Sequence, residues 1–139
     1  MLVSEVMTPE PVKISKDCTL FEAAQLMRDE NCGVLPIMDE EKVVGIVTDR
    51  DIVIYADAED HPLKETSVTK IMADNVVVCK ENESLEDVAD RMSVSAVRRL
   101  VVLDMEENIS GIVSLHDLML NIGDQGTTDE VMHHLLRYA

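Results

Sequence analysis

Two four-residue strings in this chain carry the residue types needed to hold a sugar. Thr48-Asp49-Arg50-Asp51 and Ser114-Leu115-His116-Asp117 each follow a glycine and two aliphatic residues, giving the shared pattern Gly, aliphatic, aliphatic, Thr/Ser, x, x, Asp. A hydroxyl followed three residues later by a carboxylate has an ordinary use. The Thr or Ser caps a helix, and the Asp at the third helical position returns the bond and complements the helix dipole. On the motif alone that reading stands first. Capping still leaves room for more. Free N–H groups at a helix start attract anions, and a nearby carboxylate can accept bonds from both hydroxyls of a ribose, as the acidic residue of dinucleotide folds does. Cap and ligand site can coexist.

The strings belong to a longer repeat. Val6-Met7-Thr8 returns as Ile71-Met72-Ala73 and Thr19-Leu20 as Ser84-Leu85, each 65 positions later, as does Leu35-Pro36-Ile37-Met38-Asp39 in Leu100-Val101-Val102-Leu103-Asp104. Gly45 matches Gly111 at an offset of 66, so the slip falls where a hairpin loop absorbs an insertion. Two copies make neither a solenoid nor a propeller. They make a pseudo-symmetric pair, in which a site on one copy has a counterpart on the other.

The elements that must position these strings can be read from periodicity. In the first half Val12 to Ile14 favours a strand, and Thr19 with Glu22 forms a capping box ahead of an apolar helix face at Leu20, Ala23, Ala24 and Met27. Gly33 to Met38 and Val43 to Val47 then form a hairpin, with Pro36 implying an edge or an irregularity because it cannot donate to a ladder. A helix follows from Thr48 through Ile52 and Ile54. The second half repeats the plan: a strand from Val76 to Cys79, a helix from Ser84 with Leu85, Val88, Ala89 and Met92 inward, a hairpin of Arg99 to Asp104 and Ile109 to Val113, and a helix from Ser114 to about Asn121. Each half is β-α-β-β-α, with its sheet buried against two helices and an apolar edge that the other half covers. Expected boundaries are 1–56 for the first repeat, 57–66 for a polar linker, 67–124 for the second repeat and 125–139 for a tail. Thr128 to Tyr138 of that tail could form a helix with Val131, Leu135 and Leu136 on one face.

Composition narrows the function classes. At 139 residues neither half alone buries a comfortable core, so the chain reads as one unit. The formal charge is −16, with two Tyr, one Phe and no Trp, which argues against nucleic acid and against anionic membrane surfaces. Any anionic ligand must be held by local cations working against the global field. The N-terminus has no basic segment followed by an apolar stretch, and no apolar run approaches a membrane span, so a soluble cytoplasmic protein is expected. Cys18, Cys32 and Cys79 form no CxxC pair, which fits a reducing compartment without a disulfide framework.

Two β-α-β-β-α repeats, each closing on the same Gly-to-Asp string, resemble a tandem CBS-domain pair, a Bateman module. The likeness runs from Val3 to about Asp124. The strings Thr48-Asp49-Arg50-Asp51-Ile52-Val53-Ile54 and Val97-Arg98-Arg99-Leu100-Val101-Val102 resemble those of stand-alone CBS pairs of the hypoxic-response type. The fold implied is α+β, with two pseudo-symmetric CBS repeats packed face to face. The function implied is non-enzymatic: a regulatory module that senses an adenosine-containing ligand (AMP, ADP, ATP, NAD or S-adenosylmethionine) in clefts between the repeats, with no obligatory cofactor. The resemblance also implies crossed sites. One would combine Thr48, Arg50 and Asp51 with Val77, Arg98, Arg99 and Leu100. The other would combine Ser114, His116 and Asp117 with Val12, Gly33, Val34 and Leu35. Guanidinium forks suit phosphate, so Arg50, Arg98 and Arg99 predict tighter nucleotide binding at the first. A homodimer and a separate effector protein are the implied partners.

Other candidates are weaker. His61, His116, His133 and His134 show no zinc spacing with the cysteines. Cys32, beside Gly33, reads as a small buried hydrophobe ahead of an oxidation sensor, and Met27, Met92 and Met119 read as core. No nucleophile–base pairing or Walker loop is present. The rival from another class is a ligand-free dimeric interaction scaffold whose twin strings are caps alone. A redox or metal responder built on Cys32 and the histidines ranks third.

Overall fold

Local capping chemistry starts each long helix, and the sheets then follow from where the helices let the chain return. The computed structural model describes residues 1–57 and 60–121. In chain order the elements are β1 (Thr8–Pro9), β2 (Ile14–Ser15), α1 (Leu20–Glu30), β3 (Val34–Asp39), β4 (Lys42–Thr48), α2 (Asp49–Asp51), β5 (Val78–Lys80), α3 (Leu85–Ser95), β6 (Arg99–Leu103), β7 (Ile109–Ser114) and α4 (Leu115–Asn121). This mixed order, twice strand–helix–hairpin–helix, is the α+β plan expected. The tail helix expected at 128–138 lies outside the described residues.

Thr19 and Glu22 form the reciprocal box that opens α1, and Ser84 accepts the Asp87 N–H to open α3. Both helices end on a left-handed residue, Asn31 at φ 51° and Ala96 at φ 56°, whose N–H groups close the last turn. Leu20, Ala23 and Met27 are buried on α1, as are Leu85, Val88, Ala89 and Met92 on α3. The Leu, Val and Met side chains among them each stabilise the fold by about 1.5–3 kcal/mol when fully buried.

The chain forms two compact units, and they do not coincide with the sequence repeats. One is Pro11–Val76; the other joins Met1–Glu10 to the described residues from Val77 onward. In the first, β2 runs parallel to β3 and β3 antiparallel to β4. Ala73 then pairs with Ile46 on the outer side of β4. In the second, β5 is parallel to β6, β6 antiparallel to β7, and β1 lies along β7 through Thr8↔Ile112 and Pro9↔Gly111. The repeated Met7-Thr8 and Met72-Ala73 segments are therefore exchanged. Each flanks the hairpin of the opposite sequence repeat, leaving residues 1–10 outside the unit that holds the rest of the first repeat. Each unit has its own core, around Leu20, Leu35, Ile37 and Val47 in one and around Leu85, Met92, Leu100 and Leu118 in the other.

Pro36 departs from an edge position. β3 is the middle strand of its sheet, and Pro36 is buried opposite Ile46. The Ile46 N–H and C=O both turn away to Ala73, at 3.0 and 2.9 Å, so the Pro36 nitrogen faces β2. Pairing with β2 begins one residue later, at Ile14↔Ile37. In the other unit Val101 stands in the same place and donates its N–H to the Val77 carbonyl at 3.1 Å, and β5 is three residues long where β2 is two. The proline shortens its neighbour rather than moving to the edge. Both leading strands start two residues later than expected, β2 at Ile14 rather than Val12 and β5 at Val78 rather than Val76.

The helix expected from Thr48 makes one α turn at α2 and continues as a π-helix over Ile52–Asp57. The run Ile52-Val53-Ile54 is β-branched throughout, which crowds a regular α turn. The register slip between repeats is found in the hairpins: β3 and β4 join through Glu40 and Glu41, whereas β6 and β7 join through the longer loop 104–108.

Candidate functional site

Both motif strings close the caps that their spacing implies. β4 carries Val47 into the core and leaves Thr48 at its end, opposite Val34 of β3. Thr48 Oγ1 accepts the Asp51 N–H at 3.1 Å, and Asp51 Oδ2 accepts the Thr48 N–H at 3.0 Å. In the other unit Ser114 Oγ accepts the Asp117 N–H at 3.1 Å while Asp117 Oδ2 accepts the Ser114 N–H at 2.9 Å. These bonds use one carboxylate oxygen of each aspartate. Oδ1 of Asp51 and of Asp117 takes no part in the cap, and both residues are half-exposed.

Strand pairing decides which expected residues meet. β3 beside β4 brings Gly33, Val34 and Leu35 next to Thr48 and Asp51, and the Asp49 N–H donates to the Gly33 carbonyl at 3.0 Å. β6 beside β7 brings Arg98, Arg99 and Leu100 next to Ser114 and Asp117, through Arg99↔Ser114 and a 2.8 Å bond from the Leu115 N–H to the Arg98 carbonyl. Arg50, Arg98, Arg99 and His116 are exposed. Leu35 and Leu100 are not: both are fully buried in their cores, so any part they take in binding falls to their backbone. Val12 and Val77 are half-buried against the same cores. Their carbonyls differ, because Val77 receives the Val101 N–H while Pro36 has none to give to Val12.

Two features escaped sequence reasoning. Asp49, an unassigned position within the motif, directs its carboxylate at Gly33: Oδ2 stands 2.9 Å from where a β-carbon on residue 33 would be. The second is what the motif glycines are for. Met72 lies over Gly45 and Met7 over Gly111, each with its side chain in the space a β-carbon would fill. The repeated Met and the repeated Gly were both visible in the sequence, but nothing there joined them.

Cysteine chemistry is subdued. Burial, with a smaller push from Glu83, drives the Cys79 thiol up to about 12 against the opposing effect of Arg91. Burial also raises Cys32, and the carboxylates of Glu30 and Asp49 add to the rise while a backbone bond from Val34 opposes it. Neither is poised as a thiolate. Among the described residues no three His, Cys, Asp or Glu side chains gather as a metal site, and no helix is long and apolar enough to cross a membrane. His133 and His134 lie outside the described residues.

The fold and the twin caps agree with what comparison finds. CBS domains match residues 3–57 and 68–124. The chain belongs to the CBS-domain family. Tandem CBS pairs are in general regulatory modules rather than catalysts. The CBS domain-containing protein YhcV of Bacillus subtilis is 35% identical over 119 residues, covering 86% of this chain and 84% of YhcV. Among solved structures, the CBS pair of protein MJ0100, in complex with 5′-methylthioadenosine and S-adenosyl-L-methionine, is 31% identical with a TM-score of 0.74, covering 85% of this chain and 92% of that one. Hypoxic Response Protein I, solved with two coordinated zinc ions, is 28% identical with a TM-score of 0.74, covering 88% and 99%.

Proposed function

We propose that this CBS pair is a sensor of an adenosine-containing ligand, bound at crossed sites that each draw on both repeats. One joins Thr48, Arg50 and Asp51 to Val77, Arg98, Arg99 and Leu100; the other joins Ser114, His116 and Asp117 to Val12, Gly33, Val34 and Leu35. The observation that carries the reading is the division of labour within each aspartate. Oδ2 completes the cap, which fixes the carboxylate, and Oδ1 is left for ribose hydroxyls. Likeness to the MJ0100 pair, whose ligands are both adenosine compounds, supports the ligand class. The exposed guanidinium groups of Arg50, Arg98 and Arg99 suit a phosphate, so an adenine nucleotide is the ligand proposed for the first site. A cytoplasmic homodimer that passes its output to a separate effector protein completes the proposal, with ligand energy coupling to output through two arrangements of differing affinity.

One observation favours a rival. The caps satisfy the helix ends by themselves, which is all that a ligand-free interaction scaffold requires of them. Thermal unfolding against AMP, ADP, ATP, NAD and S-adenosylmethionine separates the two. A ligand selective for the native state raises the midpoint by mass action. A rise with one adenosine compound supports the sensor, and flat curves at millimolar ligand support the scaffold.

A further inference from the structure

The two units differ sharply at one pair of equivalent positions. The Asp49 N–H donates to Gly33 as the Leu115 N–H donates to Arg98, so Asp49 corresponds to Leu115 and Gly33 to Arg98. At the second pair the side chains part, Leu115 into the core and Arg98 into solvent. At the first pair the arrangement inverts. Asp49 is exposed, and its Oδ1 accepts the Arg50 N–H at 2.8 Å, which fixes the side chain. Its Oδ2 then occupies the space that glycine leaves open, 2.9 Å from an absent β-carbon. Burial raises the neighbouring Cys32 thiol, and the carboxylates of Glu30 and, last, Asp49 add to the rise. One unit thus presents a guanidinium where the other presents a fixed carboxylate.

Resting on the reading above, we infer that Asp49 sets the charge selectivity of the site containing Gly33, favouring an adenosine ligand with a cationic 5′ substituent over one with a phosphate. Adenine and ribose are common to all the candidate ligands, so the 5′ substituent must carry the discrimination. A phosphate brought over Gly33 meets a carboxylate that is already positioned, and like-charge juxtaposition rejects it. A sulfonium meets the same carboxylate favourably, at no cost in side-chain ordering, because the Arg50 N–H already holds it.

The test is isothermal titration of the wild-type and Asp49→Asn chains with three ligands that differ in charge at this substituent: S-adenosylmethionine (positive sulfonium), 5′-methylthioadenosine (neutral) and AMP (negative). Asn keeps an oxygen for the Arg50 N–H. The expected result is ordered by charge: S-adenosylmethionine weakens about fivefold relative to methylthioadenosine, and AMP strengthens relative to it. If all three affinities move by one factor, or none moves, Asp49 is not a selector and the inference falls while adenosine binding stands. If none of the three binds the wild-type chain the inference falls, and if ADP, ATP and NAD fail to bind as well the sensor reading falls with it.

Discussion

Met72 lies across Gly45, its Cγ within 2.8 Å of the place a β-carbon on that glycine would take, and with the Ala73 carbonyl 3.2 Å from the same point. Met7 repeats the relationship over Gly111, at 2.9 Å for Cγ and 3.0 Å for the Thr8 carbonyl. A methyl group at either glycine must displace both a thioether and the strand that follows it. Gly45→Ala and Gly111→Ala are each expected to destabilise the fold by about 1–3 kcal/mol, the usual cost of overpacking. Urea unfolding measures it. Combining Gly45→Ala with Met72→Ala should recover part of the loss, because the clash and its partner are removed together.

The role of Asp51 separates cap from ligand site. Asp51→Asn keeps an oxygen able to accept the Thr48 N–H, so stability should fall by less than the ~1 kcal/mol that losing a cap costs. Ligand affinity should fall much further, because a ribose loses a charged acceptor. Titration calorimetry beside a thermal melt checks both. A loss of stability with affinity unchanged would return the motif to capping alone.

Ala96 sits in the left-handed region at φ 56°, where the equivalent position of the other helix holds Asn31. A β-carbon makes this conformation costly, and glycine is the residue that most often ends a helix this way. Ala96→Gly should raise stability by about 0.5–1 kcal/mol, read as a higher urea midpoint at an unchanged slope.

Glu83 and Arg91 give the fold an acid sensitivity. Arg91 Nη1 bonds Glu83 Oε2 at 3.0 Å and the Val78 carbonyl at 2.9 Å, and its other nitrogen reaches Glu83 Oε1. The hydrogen bond from Arg91 holds the Glu83 carboxyl below its ordinary value, against the opposing effect of burial. The stabilisation is therefore complete above the unfolded pKa of about 4.3 and disappears as pH falls through the lower folded value. Glu83→Gln should cost about 1 kcal/mol near neutrality, and the gap in melting temperature from wild type should close below roughly pH 4.

What the sequence disclosed was local. The boxes at Thr19 and Glu22, Thr48 and Asp51, and Ser114 and Asp117 each span three residues, so their spacing alone predicts the bonds observed. The one-residue slip found its loop for the same reason. Distance along the chain hid the rest. Nothing near Gly45 names Met72 as its cover, and nothing near Pro36 tells that Ile46 turns its polar groups to Ala73. Asp49 carried no periodic signal, since its partner Gly33 is reached only through strand pairing. The resemblance implies Leu35 and Leu100 as site positions, but the pleat turns both side chains into the core, which the sequence string does not show.

The exchange of the Met7 and Met72 segments means that the length of chain that was duplicated and the length that folds are out of phase by about ten residues. A fragment ending at 57 would carry a β4 stripped of Ala73 and a first ten residues with no β7 to lie along. A fragment spanning 11–76 carries every strand partner described for its sheet. Its complement is two stretches of chain that must find each other, so the amino terminus is among the last-needed pieces of a unit whose other strands are made only after residue 77. During synthesis the 11–76 unit can close first, while residues 1–10 wait for partners about eighty to a hundred residues later, at Ser84 and in β7.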